Sequence, residues 1–401
     1  MLNRTNRSLW TVSLAALMSL GTAGLSAEEI LRPAFHLPTS GAREIEPFEI
    51  DGRTFLAVAQ LAEDIPGTTP NMNGGNSDVD VVIYRPQPDG SYAEYQRLPS
   101  HGNESVRFFT IARMKFLAVG SIRSGTDGNY DMESYSTLYR WDGLRFYPVQ
   151  LFPGLATKQA YPFSIGDRHF LGLASGVTTE ESGSKLSPNS QLYEIHRGKF
   201  QPFQQFDSQW AYGWHHFTIG DRQFLTLTDH LGPSTIFQWD GEQFEPFQTI
   251  DQPGGRAFTS FTVGEEKFLA FANIDHPSTI YRWDGERFVK FQELPDLGGR
   301  NFCHFRSGEE NYLLQVLFIA GTRESPQAVR QSPLYRWNGT RFEVAQRIET
   351  SGGVSASAFV SGDRQYVAIA NSLSAEIRFR VDSVIYEVVR RDATEFTSVE
   401  D

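Results

Sequence analysis

The stretch STIYRWDGERF, Ser278 to Phe288, has a near copy in STIFQWDGEQF, Ser234 to Phe244. Working outward, close variants appear as STLYRWDGLRF from Ser136 and SPLYRWNGTRF from Ser332. Weaker ones are VVIYRPQPDGSY from Val81, SQLYEIHRGKF from Ser190 and SVIYEVV from Ser383. The anchoring aromatics of these seven copies are Tyr84, Tyr139, Tyr193, Phe237, Tyr281, Tyr335 and Tyr386. A second phrase precedes each copy: FEIDGRTFLAVA from Phe48 is the first, FTIGDRQFLTLT from Phe217 the fourth and FVSGDRQYVAIA from Phe359 the last. Its second aromatic falls at Phe55, Phe116, Phe170, Phe224, Phe268, Tyr312 and Tyr366, a spacing of 44 to 61 residues that lies in the range of propeller blades.

Each unit reads as four short strands: one ending near the first Phe, one on FLAVA, one on IYRW and one on RFxxFQ. Phe, Tyr, Val, Ile and Trp dominate these runs and short polar connectors separate them. The Asp-Gly of WDGERF and the GDRQ of IGDRQF are expected to be hairpin turns in which Gly supplies the positive φ of a two-residue connection. The fold class that follows is all-β: a seven-bladed β-propeller of four-stranded blades, which leaves only short sheet edges open. A linear β-solenoid is the alternative, but its repeats are usually shorter and lack this four-strand grammar. The last unit has no RFxxFQ after SVIYEVV, while the segment RPAFHLPTSGAREIEPF, Arg32 to Phe48, resembles the end of one blade and the start of the next. An N-terminal strand near Arg32 to Leu37 is therefore expected to complete the final blade and close the ring.

Repeated seven times, the pattern FLAVA … LYRWDG … F … FQ resembles the epilepsy-associated repeat, also called the EAR or EPTP repeat. The resemblance covers nearly the whole chain from about Arg32 to Glu387. It implies a seven-bladed propeller acting as an extracellular protein-binding module, and it brings no catalytic residues to carry over.

The opening segment MLNRTNRSLWTVSLAALMSLGTAGLSAEE has a positive start at Arg4 and Arg7, an apolar run from Leu9 to Leu20 and small residues after it, the layout of an export signal. The expected organisation is a signal peptide over 1–27, the propeller over 28–391 and a C-terminal tail over 392–401, with a secreted or periplasmic location. The apolar run is shorter than the roughly 20 residues that span a bilayer, which argues against an anchor helix, and no second long apolar run follows it, so no membrane insertion is expected after signal removal. Cys303 is the sole cysteine, which leaves no internal disulfide. With 48 acidic against 36 basic residues the formal charge is −12, which argues against nucleic acid or an anionic membrane surface as the partner.

In a propeller, the turns between strands one and two and between three and four share one face. The two-to-three and blade-to-blade connections share the other. The first kind are short and uniform here. The second include long segments at Gln60–Asp80, Ser121–Tyr135, Ser175–Pro188 and Ile319–Gln331, beside a brief one at Asp229–Pro233. Variable loops on a rigid scaffold are the usual place for binding. Where each blade begins, GAR, GGR and GGR put Arg43, Arg256 and Arg300 in one slot, with Lys158 and Tyr212 in the same slot of other blades. These five are expected to ring the channel mouth, suited to an anionic group or an acidic partner, or else to order the blade junctions through ion pairs. WAYGWHHF, from Trp210, adds Trp210, Tyr212, Trp214 and His215 as a contact surface for protein or sugar, or as channel filler.

Two metal readings arise. Asp229, His230, Asp275 and His276, from TDHLGPS and NIDHPS, form a permissible zinc set if they share a rim. Asp127 and Asp131 lie in an acidic loop with oxygen ligands of the kind calcium takes, without the twelve-residue calcium pattern. No GxSxG elbow, HExxH or phosphate-cradling Gly loop is present. The leading functional expectation is an exported, non-enzymatic module binding an extracellular or envelope protein through its loop-rich face. The alternative is a carbohydrate-binding or carbohydrate-active propeller using rim aromatics and arginines on a glycan.

Overall fold

Ser278, the first residue of the opening phrase, is fully buried, and its Oγ accepts the N–H of Asn273 at the end of the preceding strand (3.2 Å). The same bond recurs from Ser136, Ser190, Ser234, Ser332 and Ser383 to the residue that ends strand two of their own blades. A backbone donor that the ladder leaves open is thus satisfied by one repeated hydroxyl. The computed structural model describes residues 29–126, 128–176, 189–322 and 325–389. Among them the chain forms seven four-stranded antiparallel sheets and no helix.

Blade 1 comprises Ala42–Ile50, Arg53–Gln60, Val81–Pro86 and Tyr92–Leu98, from the axis outward. Blades 2 to 6 repeat this plan, with inner strands Asn103–Ile111, Thr157–Ile165, Ala211–Ile219, Gly255–Val263 and Gly299–Ser307. Blade 7 takes its inner three strands, Gly353–Ser361, Arg364–Asn371 and Ser383–Val388, from the C-terminal part of the chain, and its outer strand, Leu31–Leu37, from the N-terminal part. Leu31 pairs with Val388 and Leu37 with Ser383, so the expected ring closure is present.

The second strands are covered by a blade on each side. Their last six residues, or five in blade 7, are therefore buried without alternation, as in Phe55–Gln60 and Phe268–Asn273. The core lies between blades. Trp239, Trp283 and Trp337 each reach back to the strand-two Phe of the preceding blade, at 5.9, 5.7 and 5.6 Å between ring centroids.

The glutamine of RFxxFQ also joins blades. Gln96, Gln150, Gln204, Gln248 and Gln292 each donate to the carbonyl, and accept from the N–H, of the Phe that opens the outer strand of the next blade. Gln346 makes the equivalent pair with Leu31, at 2.8 Å in both directions. At the seventh junction Phe35 stacks on Tyr92 instead, 5.3 Å between centroids.

The turn between strands one and two is the expected two-residue connection, as at Gly220–Asp221 between the paired Ile219 and Arg222. The WDGE connection differs. Trp239 pairs with Phe244, which leaves a four-residue loop in which the Asp240 carboxylate accepts the N–H groups of Glu242 (2.7 Å) and Gln243 (2.8 Å). Asp142, Asp284 and Asn338 do the same, so the Asp of the motif is a side-chain cap that replaces a main-chain acceptor. No helix among the described residues is long and apolar enough to cross a membrane.

Candidate binding site in the axial channel

Every inner strand begins with a β-bulge at the same place. In blade 1 Ala42 pairs with Gln60 and Glu44 with Ala59, leaving Arg43 as the extra residue. The corresponding extra residues are Glu104, Lys158, Tyr212, Arg256, Arg300 and Val354. A bulge re-aims one side chain without disturbing the alternation beyond it. Here seven bulges aim seven side chains into a collar around the axis, near the end that carries the long connections. All five residues expected in the slot are brought together. Glu104, the sixth polar member, was not anticipated, although aligning GNE with GAR would have shown it.

Glu104 is the hub of the collar. Its Oε1 lies 3.0 Å from Lys158 Nζ and 3.8 Å from Arg43 Nε, and its Oε2 lies 3.6 Å from Arg300 Nη2. Burial pushes its acid up, but Lys158, Arg43 and Arg300 more than reverse this and hold it at about 2. Tyr212 receives the cations on its ring face, with Arg256 at 3.9 Å from the centroid, Arg300 at 4.7 Å and Lys158 at 5.2 Å. Burial raises the Tyr212 phenol, while Arg256, Lys158 and Arg300 together bring it below its ordinary value. Burial lowers Arg256 to about 10.

Two further tiers lie deeper along the channel. Glu44 and Glu46 share Arg107, whose Nη2 is 2.5 Å from Glu44 and whose Nη1 is 3.4 Å from Glu46. Val106 and Phe108 donate their N–H groups to the same two carboxylates. Burial and the charge of Glu44 outweigh Arg107 and raise the Glu46 acid to about 7. His215 Nε2 accepts the Ser260 N–H at 3.0 Å, and burial drives its imidazole down to about 3, so it is neutral. The bulged collar, together with these tiers, bounds a cavity of about 440 Å³.

The aromatic segment separates by position. Tyr212 faces the channel, and Trp210 stacks on it at 5.8 Å. Trp214 turns the other way and is buried against Phe206, over Gly172, so it offers no surface to a sugar or a partner.

The metal readings find no gathered ligand set. Asp229 is buried, and its oxygens accept the N–H groups of Gln209, Trp210, Leu231 and Gly232. It is a loop cap, with Asn273 as its blade 5 counterpart, so Asp275 and His276 stand two and three residues further along. His230 Nδ1 lies 3.6 Å from Asp275, outside hydrogen-bond reach, and burial brings its imidazole down to about 4. Asp131 caps the N–H of Glu133 in its own loop, and Asp127 lies outside the described residues. Among the described residues no three His, Cys, Asp or Glu side chains are arranged to hold a metal ion.

Around the collar the long connections pack into an ordered rim. Leu61, Ala62, Ile122, Met132, Phe318, Leu373 and Phe379 form one apolar cluster with Val354. Arg123, itself buried, donates to Ser77 Oγ (2.8 Å), Asn73 O (2.7 Å) and Gly74 O (2.8 Å), and lies 3.7 Å from the Tyr130 ring centroid. Gly75 is required there: at φ 82° a Cβ would meet the Glu63 carbonyl at 2.7 Å. The expected long connection at Ser175–Pro188 falls largely on 177–188, outside the described residues.

Fold and channel define a seven-bladed β-propeller with a charged collar at one mouth. The EPTP domain matches residues 36–77, 199–240, 243–284 and 341–387, each segment opening in an outer strand or one residue before it and running into the next blade. The thrombospondin-type laminin G domain and EAR repeat-containing protein of Mus musculus is 28% identical over 180 residues, which is 43% of this chain and 25% of that protein. The human protein of the same name is 29% identical over 149 residues, 36% and 21% of the two chains. Leucine-rich repeat LGI family member 3 of Macaca fascicularis is 34% identical over 222 residues, 49% of this chain and 38% of that one. Four EPTP matches on a ring of seven four-stranded blades support a propeller of the EPTP, or EAR-repeat, family. The matches span well under half the length of these relatives.

Proposed function

We propose that this propeller is a protein-interaction module that binds an extracellular or envelope protein through its loop-rich face and channel mouth. The observation that carries the reading is the contrast between the two ends of the ring. One end has four-residue and two-residue turns, whereas the other has long connections pinned by Arg123 and by the apolar rim cluster. Exposed Tyr135, Leu231, Leu297 and Val329 stand at the ends of strands or in loops on that second face. Rigid loops that present apolar side chains beside a charged mouth suit a protein surface. Export is the companion proposal, and it rests on the sequence pattern of residues 1–29.

The test is affinity capture from envelope and secreted fractions of the native organism. The bait would be the wild type, a Tyr135→Glu/Leu231→Glu/Leu297→Glu variant, and a Met114→Glu/Leu144→Glu variant altered on the opposite face. One protein recovered by the wild type and the opposite-face variant, and lost with the loop-face variant, supports the reading. Equal recovery by all three, or no enrichment by any, removes it.

A further inference from the structure

We propose that the collar is a binding site for a single oxyanion group, a carboxylate, phosphate or sulfate, held by Arg43, Arg256 and Arg300. This inference stands apart from the protein-binding reading, because it rests on the charge and the unused donors of the collar alone.

Four cationic side chains, Arg43, Lys158, Arg256 and Arg300, share the collar with one carboxylate, Glu104, while Glu44 in the next tier is engaged by Arg107 and Asp275 acts on Arg256 from the rim without an ion pair to it among the described residues. The side chains of Arg43 and Lys158 are 9% exposed and that of Arg300 is 13% exposed, so bulk water does little to screen them. Buried charge without a partner is costly. Tyr212 does not remove the surplus. Its ring face is shared by three cations, and even with its phenol ionised the collar would hold four positive groups against two negative.

The donors are also open. Arg43 Nε is buried with no hydrogen-bond partner among the described residues. Among the described residues, the Arg256 side chain makes a single hydrogen bond, a long one from Nη1 to the carbonyl of its neighbour Gly255, 3.4 Å. Arg300 stays 3.6 Å from the nearest oxygen of Glu104. A guanidinium carries five N–H donors in a planar fork that matches the oxygens of carboxylate and phosphate. Three such forks around a cavity of about 440 Å³, reached past an apolar rim, suit one compact anionic group.

The group could belong to a free anion or to an acidic side chain of a partner. Titration calorimetry on the whole protein separates the two, using sodium acetate, phosphate and sulfate against sodium chloride at matched ionic strength, and beside them a short peptide carrying two glutamates. At least one oxyanion is expected to bind at a single site, Arg256→Gln and Arg300→Gln each weakening it tenfold or more. Glu104→Gln, which removes the competing carboxylate, should tighten it tenfold or more. Should Glu104→Gln fail to fold, the two arginine variants decide the matter. Binding of free anions identifies a small ligand, and binding of the peptide alone assigns the group to a partner's side chain; both support the site. No binding by any probe, or affinities within twofold of wild type in both arginine variants, overturns it.

Discussion

Glu104 of blade 2 and Arg300 of blade 6 meet across the channel, 3.6 Å apart, because a bulge in each inner strand turns both side chains toward the axis. The carboxylate is also the partner of Lys158 and Arg43, so its removal leaves four largely buried cations with no carboxylate in their own tier. Glu104→Gln is expected to cost about 3–5 kcal/mol in urea unfolding, the usual result of breaking a buried ion pair from one side. The folded acid sits at about 2, below its ordinary 4.5, so its stabilisation is present above pH 4.5 and is lost as pH falls toward 2.

The Glu46 dependence has the opposite sign. Its folded value of about 7 lies above the ordinary 4.5, so the folded state holds a proton that the unfolded state has released between those values. Stability should fall as pH rises from about 4.5 to 7 and then level off. Glu46→Gln should flatten this slope, gaining on wild type by up to about 3 kcal/mol between pH 4.5 and 8, measured as paired unfolding curves.

Gln346 and Leu31 test the ring closure. Removing one member of a neutral hydrogen-bonded pair costs about 1–3 kcal/mol when its partners stay buried. Gln346→Ala should fall in that range, close to Gln248→Ala at an internal junction. Deleting residues up to Leu37 should cost much more than either, since it strips blade 7 of its outer strand.

Gly172 is the contact surface for Trp214, and a Cβ built there lies 3.0 Å from the indole. Gly172→Val should destabilise by about 1–3 kcal/mol through overpacking, read from thermal unfolding. Trp214→Phe in the same background should recover part of the loss.

Cys303 lies in the channel wall, and burial raises its thiol to about 12. It should react with a thiol reagent slowly in the folded protein and fully in guanidinium chloride. A fast native reaction would show that the channel opens.

Much of this architecture was legible because the repeat states it seven times. Strand identity, blade count and the role of Leu31–Leu37 follow from where RFxxFQ is present and where it is missing. The clamp made by Gln96 and its counterparts was visible as a repeated letter, but its partner lies 40 or 50 residues onward in the next blade, which no local pattern indicates. The slot of Arg43, Arg256 and Arg300 was legible by alignment, whereas the bulge that aims it was not. A bulge is a property of two paired strands, and only the slip from Ala42–Gln60 to Glu44–Ala59 reveals it. Trp214 and Asp229 were misleading for a related reason: residue type suggested surface chemistry, while strand phase and loop geometry assign them to packing and capping.

The most direct test of a collar with surplus positive charge is the sign of two stability changes measured in one buffer free of oxyanions. Arg256→Gln removes a cation that has no carboxylate within ion-pair distance among the described residues, and Glu104→Gln removes the carboxylate that the others share. The account predicts that Arg256→Gln leaves the protein as stable as wild type or more so, while Glu104→Gln destabilises it strongly. Loss of stability in Arg256→Gln comparable to that in Glu104→Gln would contradict it, and would show the collar to be balanced as it stands.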